Sequence, residues 1–287
     1  MMAFDPLSVL VPAGFAGLVA VGVTLAIERW GGRAGGLIGT LPSTIVPAAI
    51  GIALQGDATS FRAAMYIAPV GMFIDAAFLY MWRAGPARLP LGWSLGARLT
   101  AMTVASLSVW LCAATLSVTS VKSLEESGVP LVWVGVVTTA CIAIFGLAAC
   151  AKDQPAPKGL RKVGMLTLLC RGLLAAGAIG AAVFLAAVGG PLAAGVAAVF
   201  PAIFLTTMVS LWVSQGEAVQ AGAVGPMMLG STSVAVFCVL AAWTIPTLGV
   251  GWGTVSAWLG ATLGATLPAW LWLHRPETAQ ERLDSAR

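Results

Sequence analysis

The chain has 287 residues, 59% of them hydrophobic and only 9% charged, with a mean hydropathy of +0.94 and a formal net charge of +4. Soluble domains carry about 25% charged residues, so a water-soluble globular fold is excluded and the chain belongs in lipid. Five cysteines scattered without paired spacing and a single histidine, His274, argue against a disulfide framework, a Cys/His metal cluster, bis-histidine haem ligation and Ser-His catalysis.

A bilayer core of about 30 Å needs about 20 apolar residues per helix. Nine segments meet that length: 8–28, 36–55, 61–82, 97–119, 129–150, 163–188, 191–214, 219–243 and 251–273. The first follows Met1–Pro6, which lacks the basic region of a signal peptide, so it is expected to be retained. Pro86 and Pro90, then Pro155 and Pro157, mark two connecting loops, and the stretch after Pro276 is a polar tail. Trp30, Trp82, Trp133, Trp243, Trp252, Trp270 and Trp272 fall near segment ends, as an interfacial belt requires.

A long internal repeat organises these segments. Leu41-Pro42-Ser43-Thr44 leads to Gln55-Gly56-Asp57-Ala58, and Phe200-Pro201-Ala202 leads through Thr206-Thr207 to Gln215-Gly216-Glu217-Ala218. Glycine pairs, Gly31-Gly32 and Gly189-Gly190, precede the two copies. Equivalent positions lie 158 residues apart at the glycines, 159 at the prolines and 160 at the Gln-Gly pairs.

The basic residues set an orientation. Arg29, Arg33, Arg83, Arg88, Arg98, Lys152, Lys158, Arg161, Lys162, Arg275, Arg282 and Arg287 fall on one face, and only Arg62 and Lys122 on the other. Basic loops stay in the cytoplasm, which puts the N-terminus outside and the C-terminus inside. With four segments in each copy and one between, the second copy is turned over. The expected fold is an all-α integral membrane protein of nine transmembrane helices, two inverted four-helix repeats joined by a linking helix (4+1+4). Its parts are residues 1–120, the link 121–162, residues 163–275 and the tail 276–287, in the inner membrane.

The second copy, Ala193-Ala194-Gly195 through Phe200-Pro201-Ala202-Ile203-Phe204 to Gly216, resembles the small four-helix bacterial membrane proteins of the GlpM type, with their glycine-led apolar run, Phe-Pro pair and polar turn. The first, Gly35-Gly36-Leu37 through Leu41-Pro42, is similar to related small families with a Gly-Gly-Leu and Leu-Pro pattern. The likeness covers about 50 residues of each half and implies a fused, inverted pair of four-helix units; it brings no established chemistry. The layout is also similar to that of two-domain fluoride exporters with a linking helix, an analogy of architecture alone.

Ionisable groups inside a bilayer cost at least about 2.5–3.5 kcal/mol each on insertion scales. Two stand out, Asp75 and Arg171. Asp75 lies eight residues before Arg83 and Arg171 nine after Lys162, which places both roughly 12–13 Å deep at 1.5 Å per residue. The matched depth predicts a salt bridge or shared polar cavity between the repeats, with a static bridge or a snorkelling arginine as the bland alternative. Asp57 and Glu217, beside Gln55 and Gln215, precede helices and are read as caps or as gates at the two faces. Polar residues adjoin prolines at Ser43 and Thr44 and at Thr206 and Thr207, the sign of broken helices at matching positions. Ser231 and Thr232 align with Gly71-Met72, just before Asp75.

Inverted repeats with broken helices typify secondary transporters, and the expected function is transport of a small solute or ion along a path between the repeats. The alternatives are a channel or lipid scramblase on the same scaffold, or a non-transporting membrane scaffold or assembly factor. Gly249-Val250-Gly251-Trp252-Gly253 lacks the strand-and-helix context of a phosphate loop, so the driving force is expected to be a gradient. No enzyme activity, cofactor, metal or nucleic acid is expected; the partners are the lipid bilayer, the solute and a second copy of the chain.

Overall fold

A computed structural model describes residues 10–11, 13–19, 21–22, 25, 41–90, 92–151, 164–188 and 190–273. Its elements are helices throughout, with no strand among the described residues. A 3-10 turn, Pro42–Thr44, leads into α1 (Val46–Gln55), followed by α2 (Ala58–Ala84), α3 (Leu95–Glu126), α4 (Leu131–Ala151) and α5 (Met165–Val188). The short α6 (Pro191–Ala197) and α7 (Ala202–Gln215) follow, then α8 (Glu217–Ala261), a π-helical turn (Thr262–Thr266) and α9 (Leu267–Leu273). Among the described residues, five helices are long and apolar enough to cross a membrane: Ala58–Ala84, Leu95–Glu126, Leu131–Ala151, Pro191–Ser214 and Glu217–Leu273.

Two of these five are interrupted. Between α6 and α7 the chain leaves the helix over residues 198–201, where Pro201 cannot donate to the ladder. α8 folds back at Gly249, whose φ of 77° and ψ of 166° suit only glycine. The Thr244 hydroxyl donates to the Gly253 carbonyl at 2.8 Å across this turn, so the limbs before and after it form a hairpin. The predicted segments 219–243 and 251–273 correspond to these two limbs. Segments 8–28 and 36–55 fall only partly on described residues; Gly31, Gly32, Gly35, Gly36, Gly189 and His274 lie outside them.

α2 and the first limb of α8 form the centre. They run antiparallel, because Arg62 at the start of α2 donates to the Ala242 carbonyl late in α8 (3.3 Å), and Gln220 early in α8 donates to the Trp82 carbonyl late in α2 (3.0 Å). α4 lies against both, and α6 and α3 pack on α2. The most apolar stretch of α2 is 67% buried within the protein, against 22% for α3 and 17% for α4, so α2 is an inner helix and the other two are peripheral. Without a hydrophobic drive between helices in lipid, close approach relies on small residues. Gly195 of α6 lies directly over the Ala64 carbonyl and Ile67, and Gly71 of α2 lies against Val196 and Val199.

Trp82 departs from the predicted interfacial belt. It is fully buried, its indole donating to the Ser106 hydroxyl at 3.1 Å and its ring meeting Trp212 edge-on. Trp133, Trp243 and Trp252 are exposed as expected.

Gly249→Ala forces a side chain into a region reserved for glycine and should cost about 1–3 kcal/mol. Gly195→Val, which drives methyls into the Ala64 carbonyl and Ile67, should cost at least about 1–3 kcal/mol by overpacking. Thermal melting of the purified protein, read by the loss of monodisperse material, measures both; an unchanged melting temperature for either refutes the packing described.

Candidate functional site

Asp75 sits on the inner face of α2 and is 1% exposed. Its Oδ1 accepts a hydrogen bond from Trp110 Nε1 at 2.6 Å. Trp110, on α3, is itself buried, and its ring meets Phe200 edge-on with centroids 5.1 Å apart. Phe200 belongs to the break between α6 and α7. The buried carboxyl, an indole and the interrupted helix therefore converge at one place.

Arg171, the predicted partner of Asp75, stands on α5, which packs against α1, α6 and α7. Its side chain lies outside the described residues, as do those of Thr44, Gln55 and Gln215. The described partner of Asp75 is Trp110, a residue the sequence reading passed over. A signal was available: the predicted belt tryptophans cluster at segment ends, whereas Trp110 falls mid-segment, where an indole N–H needs a buried acceptor.

Ser43, in the turn before α1, accepts from Trp258 Nε1 at 3.1 Å, so a second mid-segment indole reaches the proline turn of the first copy. The remaining candidate hydroxyls mostly serve their own helices. Thr206 donates to the Ala202 carbonyl at 2.8 Å, Thr207 to Ile203 at 2.6 Å and Ser231 to Met227 at 2.9 Å. This back-bonding supplies carbonyls next to the break and satisfies buried hydroxyls. Thr232 differs: its buried hydroxyl oxygen has no partner among the described residues.

The two repeated acids diverge. Asp57 caps α2, its Oδ1 accepting from the Ser60 amide at 2.7 Å. That amide bond holds its carboxyl below the usual 3.8. Glu217 instead reaches Arg98 of α3 at 3.0 Å. Arg98 also donates to the Pro86 carbonyl at 3.1 Å and lies over the Trp212 ring at 5.3 Å. Behind this pair, Trp212 meets Trp82, and the fully buried Gln220 donates to the Trp82 carbonyl while its own Oε1 has no partner among the described residues. Charge, aromatic and amide groups thus close one end of the helices and tie α2, α3, α7 and α8 together.

A crevice of about 240 Å³ runs between α2 and α3, lined by Phe73, Ile74, Phe78, Ser106, Trp110 and Ser117 among others. Trp110, which bonds Asp75, forms part of its wall. Among the described residues no three His, Cys, Asp or Glu side chains come together as a metal site.

Asp57→Ala should lower the melting temperature more than Asp57→Asn, since asparagine can still accept at a helix start. Because the folded state lowers the Asp57 pKa, its contribution is complete above 3.8 and is lost as pH falls through the lower folded value. Melting curves over the acidic range check this: wild type should lose its advantage over Asp57→Ala on acidification. Glu217→Gln should cost no more than about 1 kcal/mol, as partly exposed ion pairs do. Arg98→Ala should cost more, having also lost the Trp212 and Pro86 contacts; a double-mutant cycle with Glu217→Gln separates the contributions.

Compared with known proteins, the chain matches no family model, no curated protein and no solved structure.

Proposed function

We propose that the protein is a secondary transporter of a small solute or ion in the inner membrane, with a path between two inverted four-helix repeats joined by a linking helix. The observation that carries this reading is the crossed pair of hydrogen bonds between α2 and α8. The accepting carbonyls, Trp82 and Ala242, are 160 positions apart (242 minus 82), and the donors, Arg62 and Gln220, are 158 apart (220 minus 62). The carbonyls keep the offset of the neighbouring Gln-Gly pairs, 160, and the donors fall two residues short of it. Equivalent carbonyls at equivalent ends of two antiparallel helices are what a two-fold axis in the membrane plane produces, and their agreement supports the inverted arrangement.

Three further features fit. The break at Phe200-Pro201 lies against Asp75 and Trp110, while the Pro42 turn meets Trp258, so an indole touches the proline turn of each copy. Discontinuous helices in matching positions line the sites of such carriers. Among the described basic residues, Arg83, Arg88 and Arg98 belong to one end of α2 and α3 and Arg62 and Lys122 to the other, in keeping with an N-terminus outside and a C-terminus in the cytoplasm. The GlpM-type likeness of the two halves belongs to this same reading, as do Asp75 and Arg171 as residues of the path.

A second reading, a membrane scaffold with no transported solute, is favoured by the hydroxyls of Thr206, Thr207 and Ser231, which bond within their own helices. Proteoliposomes decide between the two. A carrier should show saturable uptake of small polar or anionic solutes and counterflow, a channel linear conductance, a scramblase lipid exchange, and a scaffold none of these. Reporter tags should place the termini on opposite sides of the membrane; both in one compartment would sink the inverted arrangement.

A further inference from the structure

We propose that Asp75 is the proton-binding site that couples transport, reached from the crevice between α2 and α3 when the Trp110 indole moves aside. The inference deepens the transport reading and rests on it for the coupling role. Three features converge on it. The first is the environment of the carboxyl: it is 1% exposed among apolar helices and is met by an indole N–H at 2.6 Å. A carboxylate in such surroundings needs a positive partner or a proton. Oδ1 can accept the indole hydrogen in either protonation state, more strongly when the carboxyl is ionised, and Oδ2 is left to carry the proton. A bound metal ion suits the place poorly. Hard cations take six or more oxygens, and here the indole hydrogen already points at the carboxyl.

The second is access. Trp110 and Ile74, the residue before Asp75, both line the crevice, and so does Ser117, whose hydroxyl can hold water; Ser106, also on its wall, is already bonded to Trp82 and Thr103. Phe73 and Val109 on its rim are 37% and 50% exposed, so the crevice opens at the edge of the helices. Trp110 both lines that space and bonds the carboxyl, so swinging the indole joins the two. A water-borne proton then passes to Oδ2, Trp110 keeps its own hydrogen, and release returns the proton to water.

The third is the link to a movable element. The Trp110 ring that bonds Asp75 also meets Phe200 edge-on in the break between α6 and α7. Reshaping that break displaces the indole, so protonation of Asp75 and the form of the interrupted helix are tied through one ring.

Other ionisable groups on the elements packed against α2 are few. α3 brings Arg98, Cys112, Lys122, Glu125 and Glu126; α4 brings Cys141 and Cys150; α8 brings Glu217 and the buried Cys238; α1, α6 and α7 bring none. On α2 itself Arg62 and Arg83 stand at the two ends, donating to the carbonyls of Ala242 and Ala149, with Tyr66 and Tyr80 between.

The test is infrared absorption of the full-length protein in liposomes, reading the C=O stretch of protonated carboxylic acids over a pH titration in H2O and D2O. A band that titrates and shifts in D2O, is lost in Asp75→Asn and moves in Asp75→Glu supports the site. Should Asp75→Asn fail to fold, the Asp75→Glu comparison still decides. Trp110→Phe keeps a ring against Phe200 but removes the donor, so it should shift both the band and its midpoint. Acid bands unchanged by either Asp75 variant overturn the proposal. So does a carboxylate that stays ionised at every pH where the protein is folded, as an ion pair with Arg171 would. The titration needs no solute, so a titrating band in vesicles that carry nothing sinks the transport reading and leaves the proton site standing. Solute flux that keeps its pH dependence in Asp75→Asn overturns the coupling role.

Discussion

Hydrocarbon offers no hydrogen-bond partner, so every polar group that enters the membrane must find one on its own helix or on a neighbour. The central α2/α8 pair obeys this at both ends. Arg62 and Gln220 each reach across to a main-chain carbonyl of the opposite helix, and glycines let the flanking helices close in on the pair: Gly135 of α4 on the Tyr66 carbonyl, Gly146 of α4 on Leu229 and Gly195 of α6 on the Ala64 carbonyl. The remaining elements are arranged around that pair. α4 lies along its side, α3 covers the flank that holds Asp75, and the interrupted α6–α7 helix rests on Gly71 and Ala64.

The same constraint explains where the tryptophans work. An indole placed mid-membrane brings one N–H that must be accepted, and Trp82, Trp110 and Trp258 are each satisfied by a side chain from a different helix: Ser106, Asp75 and Ser43. Each such bond fixes the rotation of two helices at once. The aromatic rings add edge contacts, Trp82 to Trp212 and Trp110 to Phe200, so polar and apolar terms favour one packing. Around Asp75 this produces a carboxyl with an indole and no cation beside it among the described residues, near a crevice and a broken helix, which is the physical ground for reading it as a place where charge changes.

The two Gln-Gly-acid turns share a sequence pattern but not their bonds. Asp57 caps its helix by accepting from the Ser60 amide, whereas Glu217, at the matching position of the pattern, crosses to Arg98. Copies of one motif therefore make different bonds because their surroundings differ: the loop between α2 and α3 brings Arg98 beside Glu217, and Asp57 stands exposed at its helix start.

Composition alone determined that the chain is a helical membrane protein, because 59% hydrophobic residues with 9% charged ones cannot stay in water. Segment limits were legible for the same reason: apolar length is a one-dimensional property, and 61–82 falls within α2 while 129–150 and 163–188 begin two residues before α4 and α5. So were the interruptions, since Pro201 blocks helix hydrogen bonding wherever it stands, and so was the isolation of Asp75 in apolar surroundings. The bond from Trp110 to Asp75 was not legible. Depth along the membrane follows from counting residues, and it says nothing of rotation; which side of α2 Asp75 faces, and that α3 brings Trp110 to it, depends on helix rotation and on which helices are neighbours. Those are set by close packing among residues far apart in the chain, and only the tertiary structure decides them.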